Sequence, residues 1–135
     1  MDLVTWDKSY SVNVDSCDAE HRRLFYLLNE LHKAMKAGQS SAVIAGTVHQ
    51  LEKYTQTHFL AEEARMQSAQ YAKLPEHRME HQKFVAKVKQ FRSDLETGNK
   101  CDAVAVVTFV KNWLSTHIMQ TDKMYSKDLN SHGIK

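Results

Sequence analysis

Residues 75–99 read PEHRMEHQKFVAKVKQFRSDLETGN. His77, His81, Phe84, Val88, Phe91 and Leu95 recur at spacings of three and four, the period of one face of an α-helix. Pro75 opens the stretch, where a missing N–H costs nothing in a first helical turn. Gly98-Asn99 supplies the stop. The spacing predicts a helix from about Pro75 to Thr97. Its apolar stripe begins with two histidines instead of two aliphatic residues.

The same period runs outward in both directions. Residues 18–37 carry His21, Leu24, Leu28, Leu31 and Met35 on one face. Residues 41–67 carry Ile44, Val48, Leu51, His58, Glu62 and Met66, with Thr55 filling the gap. Residues 102–125 carry Val106, Val110, Trp113 or Leu114, and His117. Gly38 is a natural C-cap, Ser40 and Ser41 are N-cap candidates, and Asp102 can cap the last helix. One proline and four glycines leave the chain few places to turn. The expected fold is therefore all-α: an antiparallel up-down-up-down four-helix bundle forming a single domain over residues 1–135. Residues 1–17, with Val4, Trp6, Tyr10, Val12 and Val14, are expected to form an extended, partly packed arm. Residues 126–135 are polar and are expected to fray as a flexible tail.

Composition narrows the function. The 135 residues are 42% hydrophobic and 25% charged, a soluble globular profile. Eighteen basic against sixteen acidic residues give a formal charge of +2, too balanced for a nucleic-acid partner. No run approaches the roughly 20 apolar residues of a membrane span. The Met1-Asp2-Leu3 start lacks the features of a signal peptide. Cys17 and Cys101 make no disulfide framework and read as inert thiols, so a cytoplasmic location is expected.

Eight histidines are many for a chain this short. His21, His58, His77, His81 and His117 continue apolar stripes, and so does Glu62. His32, His49 and His132 read as surface or boundary residues. A lone ionised carboxylate in a core is very costly and needs a partner. His58 and Glu62 are four apart, as are His77 and His81, so each pair shares a helix face. The histidines fall early in helix one, late in two, early in three and late in four. In an up-down bundle those places share one end. Imidazoles with a carboxylate converging there point to a metal, which the residues alone leave unnamed among iron, zinc, copper and nickel.

The pattern resembles the hemerythrin family in its single-domain bacterial form. The resemblance rests on Asp18-Ala19-Glu20-His21, His58-Phe59-Leu60-Ala61-Glu62-Glu63, Met66, Tyr71, His77-x-x-x-His81, Trp113-Leu114-Ser115-Thr116-His117-Ile118, Asp122 and Tyr125. It implies a non-haem centre of two iron ions. His77, His81 and His117 would hold one iron and His21 and His58 the other, bridged by Glu62, Asp122 and a solvent-derived oxide or hydroxide. His117 and Asp122 are five apart, which an ideal helix turns through about 500°, aiming them about 140° apart. A π-bulge or loosened turn between them is therefore expected. Glu20 stands where the family commonly carries glutamine and adds a carboxylate beside His21. Glu63 reads either as a partner behind a ligand or as a solvated residue.

Two six-coordinate irons offer about twelve positions, of which this ligand set fills about eleven. The vacancy, on the iron with two histidines, implies reversible dioxygen binding for storage, delivery or sensing. Nitric oxide and small anions such as azide are further candidate ligands. Leu24, Phe59, Trp113, Leu114, Ile118 and Tyr125 are the candidate apolar pocket. The alternative is a di-iron enzyme of peroxidase, oxidase or nitric-oxide reductase type. Oxygen-activating ferritin-like sites are carboxylate-rich with Glu-x-x-His motifs, whereas five histidines and two carboxylates favour binding over catalysis.

Overall fold

The computed structural model describes residues 4–38, 41–97 and 103–135. Ser40, Gly98-Asn99, Cys101, Asp102 and the side chain of Ser41 lie outside the described residues. Helices α1 (Asp15–Lys36), α2 (Ser41–Ser68), α3 (Leu74–Thr97) and α4 (Ala103–Thr116) follow in order, and no strand occurs among the described residues. Each helix packs on its neighbour in sequence, and α4 closes the ring against α1. Among the described residues no helix is long and apolar enough to cross a membrane.

The stripes read from the sequence form the core. Leu24, Leu28, Leu31, Val48, Leu51, Phe84, Val88, Val106, Val110 and Leu114 are all buried. Leu114 takes the core position in α4, and Trp113 packs against the core while only partly buried. Gly38 ends α1 at φ 69°, where its N–H donates to the Met35 carbonyl.

Two boundaries differ from expectation. Helix α1 starts at Asp15, three residues before Asp18, because Asp18 faces back to the arm. Its Oδ1 accepts from the Val12 N–H at 2.9 Å and its Oδ2 from the Ser11 hydroxyl at 2.6 Å. The arm itself includes a short 3₁₀ turn at Lys8–Tyr10 and buries Val12 and Val14 completely. The tail carries regular structure. Residues Ser126–Ser131 form α5, which buries Leu129. Gly133, at φ 82°, and Ile134 close it: their N–H groups donate to the carbonyls of Asn130 and Leu129, the paired bonds of a Schellman cap. Ile134 packs on the core, while Ser126 Oγ and Asn130 Nδ2 donate to the carbonyls of Val12 and Asn13. Arm and tail thus hold each other.

Asn29 fixes the far end of the arm. Its Oδ1 accepts from the Val4 N–H at 3.0 Å and its Nδ2 donates to the Val4 carbonyl at 2.9 Å. Asn29→Ala strips both partners from a buried backbone unit, at a cost of about 1–3 kcal/mol. A lowered urea midpoint is expected. An unchanged midpoint would mean the latch contributes nothing.

Candidate metal centre

Each helix delivers ligand-type side chains to one end of the bundle. Helix α1 brings His21, α2 brings His58 and Glu62, α3 brings His77 and His81, and the turn that follows α4 brings His117. Asp122 follows five residues later. All seven are at most 3% exposed.

The backbone after α4 explains how Asp122 joins them. His117–Thr121 is a π-helical turn, and the Asp122 N–H donates to the His117 carbonyl. A bond between residues five apart turns i and i+5 to the same side. A 3₁₀ turn at Asp122–Tyr125 follows, with the Ser126 N–H on the Lys123 carbonyl. One widened turn and one tightened turn carry the chain on into α5.

The carboxylates stand between two groups of imidazoles. Glu62 Oε1 lies 3.1 Å from both His77 Nε2 and His81 Nε2. Its Oε2 lies 3.4 Å from His21 Nε2 and 3.5 Å from His58 Nε2. Asp122 repeats the division. Its Oδ1 is 2.9 Å from His77 Nε2 and 2.8 Å from His117 Nε2, while its Oδ2 is 3.2 Å from His21 Nε2. Donor atoms of Glu62, His77, His81, His117 and Asp122 all lie within 4.8 Å of one another, as do those of His21, His58 and Glu62. These are two adjacent groups of donors, each able to hold a cation, that share Glu62.

The donor set fits metal ions. His21 Nε2 and both Asp122 oxygens are buried without a hydrogen-bond partner, although they crowd together. The nitrogens of His81 and His117 face each other at 3.2 Å. Buried acceptors pointed at one another need a cation between them, either protons or metal.

Without metal, protons fill that role. Burial pushes the imidazoles down, but Asp122 and Glu62 outweigh it, raising His21 to about 9 and His77 to about 10. Burial pushes His117 down too, but Asp122, Glu80 and Glu62 raise it to about 9. Burial acts to raise Glu62, yet His58 and the other imidazoles hold it well below the usual carboxylate range. Asp122 is held low against both burial and its neighbour Glu62.

These imidazoles sit above their unfolded value of 6.5. Their contribution to the stability of the metal-free fold is therefore present below pH 6.5 and lost as pH rises through 9 to 10. The carboxylates act oppositely, and their share is lost in acid. Metal must displace the protons, so Zn2+ affinity should climb from pH 6.5 to 9, about tenfold per unit for each proton released. Calorimetry in buffers of different ionisation enthalpy reads that release. A pH-independent affinity would contradict the shared use of these nitrogens.

Carboxylates also stand behind three imidazoles. Glu20 Oε1 pairs with His58 Nδ1 at 2.7 Å and Glu63 Oε2 with His81 Nδ1 at 2.7 Å. Glu80 Oε2 lies 3.5 Å from His117 Nδ1. Glu20 therefore serves His58 and not the adjacent His21, because consecutive helical residues point about 100° apart. Burial acts to raise Glu20, but Arg65 and His58 hold it down at about 2. Arg65 and Arg78 grip Glu20 and Glu63; the seven-residue step from His58 to Arg65 is the sequence signal for the first of them. Cys17 is buried, and burial pushes its thiol up to about 12, as an inert thiol requires.

The six pocket candidates separate. Phe59 stacks on His81, with centroids 3.8 Å apart, and Trp113 stacks on His117 at 4.2 Å. Tyr125 lies over His77 at 5.8 Å, and its hydroxyl donates to Glu62 Oε2 at 2.9 Å. These three rings therefore cover the His77, His81 and His117 side. Leu24, Leu114 and Ile118 are buried in the core close in sequence to His21 and His117. Beside His21 stands Trp6 of the arm, centroids 6.4 Å apart.

A helical bundle carrying a buried, two-position histidine and carboxylate cluster defines a class of cation-binding domain. Residues 12–128 match the family described as the hemerythrin HHE cation binding domain, and the chain belongs to that family. It is 30% identical over 132 residues to a bacteriohemerythrin of Stenotrophomonas maltophilia (strain R551-3), covering 98% of this chain and 85% of the relative. It is 34% identical to a myohemerythrin of Riftia pachyptila, covering 92% of each. The crystal structure of a wild-type hemerythrin superposes with a TM-score of 0.88 at 30% identity, covering 94% of this chain and 98% of that one.

Proposed function

We propose that this protein binds dioxygen reversibly at a non-haem di-iron centre, for oxygen storage, delivery or sensing. The observation that carries the reading is the division of Glu62 and Asp122, each with one oxygen toward His77 and the other toward His21. That is the placement of carboxylates that span two cations. When bound, two ferrous ions would supply two electrons to one dioxygen.

The chain's own residues set the conditions. His77, His81 and His117 would hold one iron, and His21 and His58 the other. The unequal count leaves room for a small ligand on the His21 and His58 side. Nitric oxide and azide would compete for the same place. The Tyr125 hydroxyl steadies Glu62 from the core side. Phe59 and Trp113 lie against the rings of His81 and His117. Two carboxylates among seven ligands, in place of a carboxylate-rich set, favour binding over oxidation catalysis.

Release of dioxygen intact needs a dry pocket. Leu114→Ala and Ile118→Ala should admit water and raise the autoxidation rate severalfold, followed by loss of the oxygenated absorption. Wild-type rates in both would remove these residues from that role. The reading itself is tested by anaerobic ferrous reconstitution, exposure to oxygen, then its removal. A visible band that appears and disappears over repeated cycles is expected. Immediate, irreversible conversion to the ferric form with peroxide release would instead favour a di-iron enzyme.

A further inference from the structure

The three carboxylates behind the imidazoles are held in different ways. Glu80, whose side chain is 45% exposed, meets His117 at 3.5 Å, and the Thr121 hydroxyl donates to it at 3.5 Å. Glu63 meets His81 at 2.7 Å and takes one bond from Arg78 Nε at 3.2 Å. Glu20 meets His58 at 2.7 Å, and Arg65 forks onto both of its oxygens at 2.9 Å each. Arg65 also donates to the buried Cys17 sulfur at 3.3 Å, which fixes the guanidinium from α1.

Of the two imidazoles on the His21 and His58 side, His21 has its Nδ1 buried with no hydrogen-bond partner, as His117 has on the other side. His58 is thus the imidazole through which a backing charge reaches that side. On α2, His58 and Arg65 are seven residues apart, two helical turns on one face. Glu20 reaches across from α1 and joins them.

We propose that the Glu20–Arg65 pair sets how strongly His58 donates to its metal, and so tunes the side of the centre where the small ligand binds. The proposal rests on the di-iron reading. Glu20 is a positioning residue: it accepts the Nδ1–H of His58, fixes the tautomer that presents Nε2, and makes the imidazole a stronger base. Its negative charge favours ferric over ferrous iron. Arg65 opposes that charge and locks the carboxylate plane, which a planar fork does and a point charge does not.

The two partners therefore act with opposite signs. Glu20→Gln keeps an acceptor for His58 but removes the charge, so the midpoint potential of the iron-loaded protein should rise. Arg65→Gln leaves Glu20 uncompensated, so the potential should fall. A change of about tenfold in the ferric-to-ferrous preference is expected, ~59 mV for a one-electron step. Zn2+ affinity should also fall in E20Q, by about tenfold. General damage to the bundle would move both variants the same way. Equal potentials in wild type and E20Q, or shifts of the same sign in both variants, overturn the proposal. E20Q decides alone if R65Q does not fold. Wild-type protein that takes up no iron overturns the di-iron reading and this proposal with it. Wild type that loads iron, with variants indistinguishable from it, overturns this proposal alone.

Discussion

Asp122→Ala protein is expected to fold as a bundle and yet fail to retain metal. The π turn is closed by the backbone of Asp122 bonding to the His117 carbonyl, which alanine preserves. The side chain is another matter. Its oxygens reach His77, His117 and His21 at 2.8–3.2 Å, so both groups of donors lose an oxygen at once. Loss of a residue that merely backs a ligand costs about 10–100-fold in metal affinity, and loss of one shared between two positions should exceed that. Competition with a coloured chelator for Zn2+, alongside a helical circular dichroism spectrum, reads both halves of the expectation. Wild-type affinity in the variant would remove Asp122 from the ligand set.

Removing metal from the wild-type protein should cost more than any single surface change. Five imidazoles and two carboxylates are assembled only in the folded state, so a metal that binds there stabilises it by mass action. At a free concentration of about 1,000 times Kd the gain is ~4 kcal/mol, a melting-temperature difference on the order of 10–20 °C for a domain of this size. The gap should widen from pH 6.5 toward 9. In that range the metal-free protein begins to lose the protons that hold its imidazoles beside Glu62 and Asp122. Calorimetric scans with and without chelator would show it. Coincident melting curves across that range would mean the cluster adds nothing to stability.

The bundle was legible because one period, three and four, runs through all four helices and is rarely broken. The ligand-type histidines were legible because they occupy that same stripe, where Leu or Val would otherwise stand. Asp122 broke the period, since its alignment with His117 needs a turn that the α-helical count does not contain. It entered through the resemblance, and the π turn supplies the physical reason. What escaped were contacts between helices. Glu20 lies next to His21 in sequence but meets His58, 38 residues away. Phe59 lies next to His58 but stacks on His81. Neighbours along a helix point apart, so adjacency misleads where periodicity informs. The tail escaped for another reason. Leu129, Gly133 and Ile134 form a short helix and its cap, too brief for a periodic signal.

The proposal that Glu62 and Asp122 span two metal ions is open to anomalous scattering from crystals of the iron-loaded protein. Two peaks of comparable height are expected about 3.5–4 Å apart, one among His77, His81 and His117 and one beside His21 and His58, with a carboxylate oxygen of each acid turned to each peak. A single peak, or two peaks of which one lies outside these seven residues, would contradict the account.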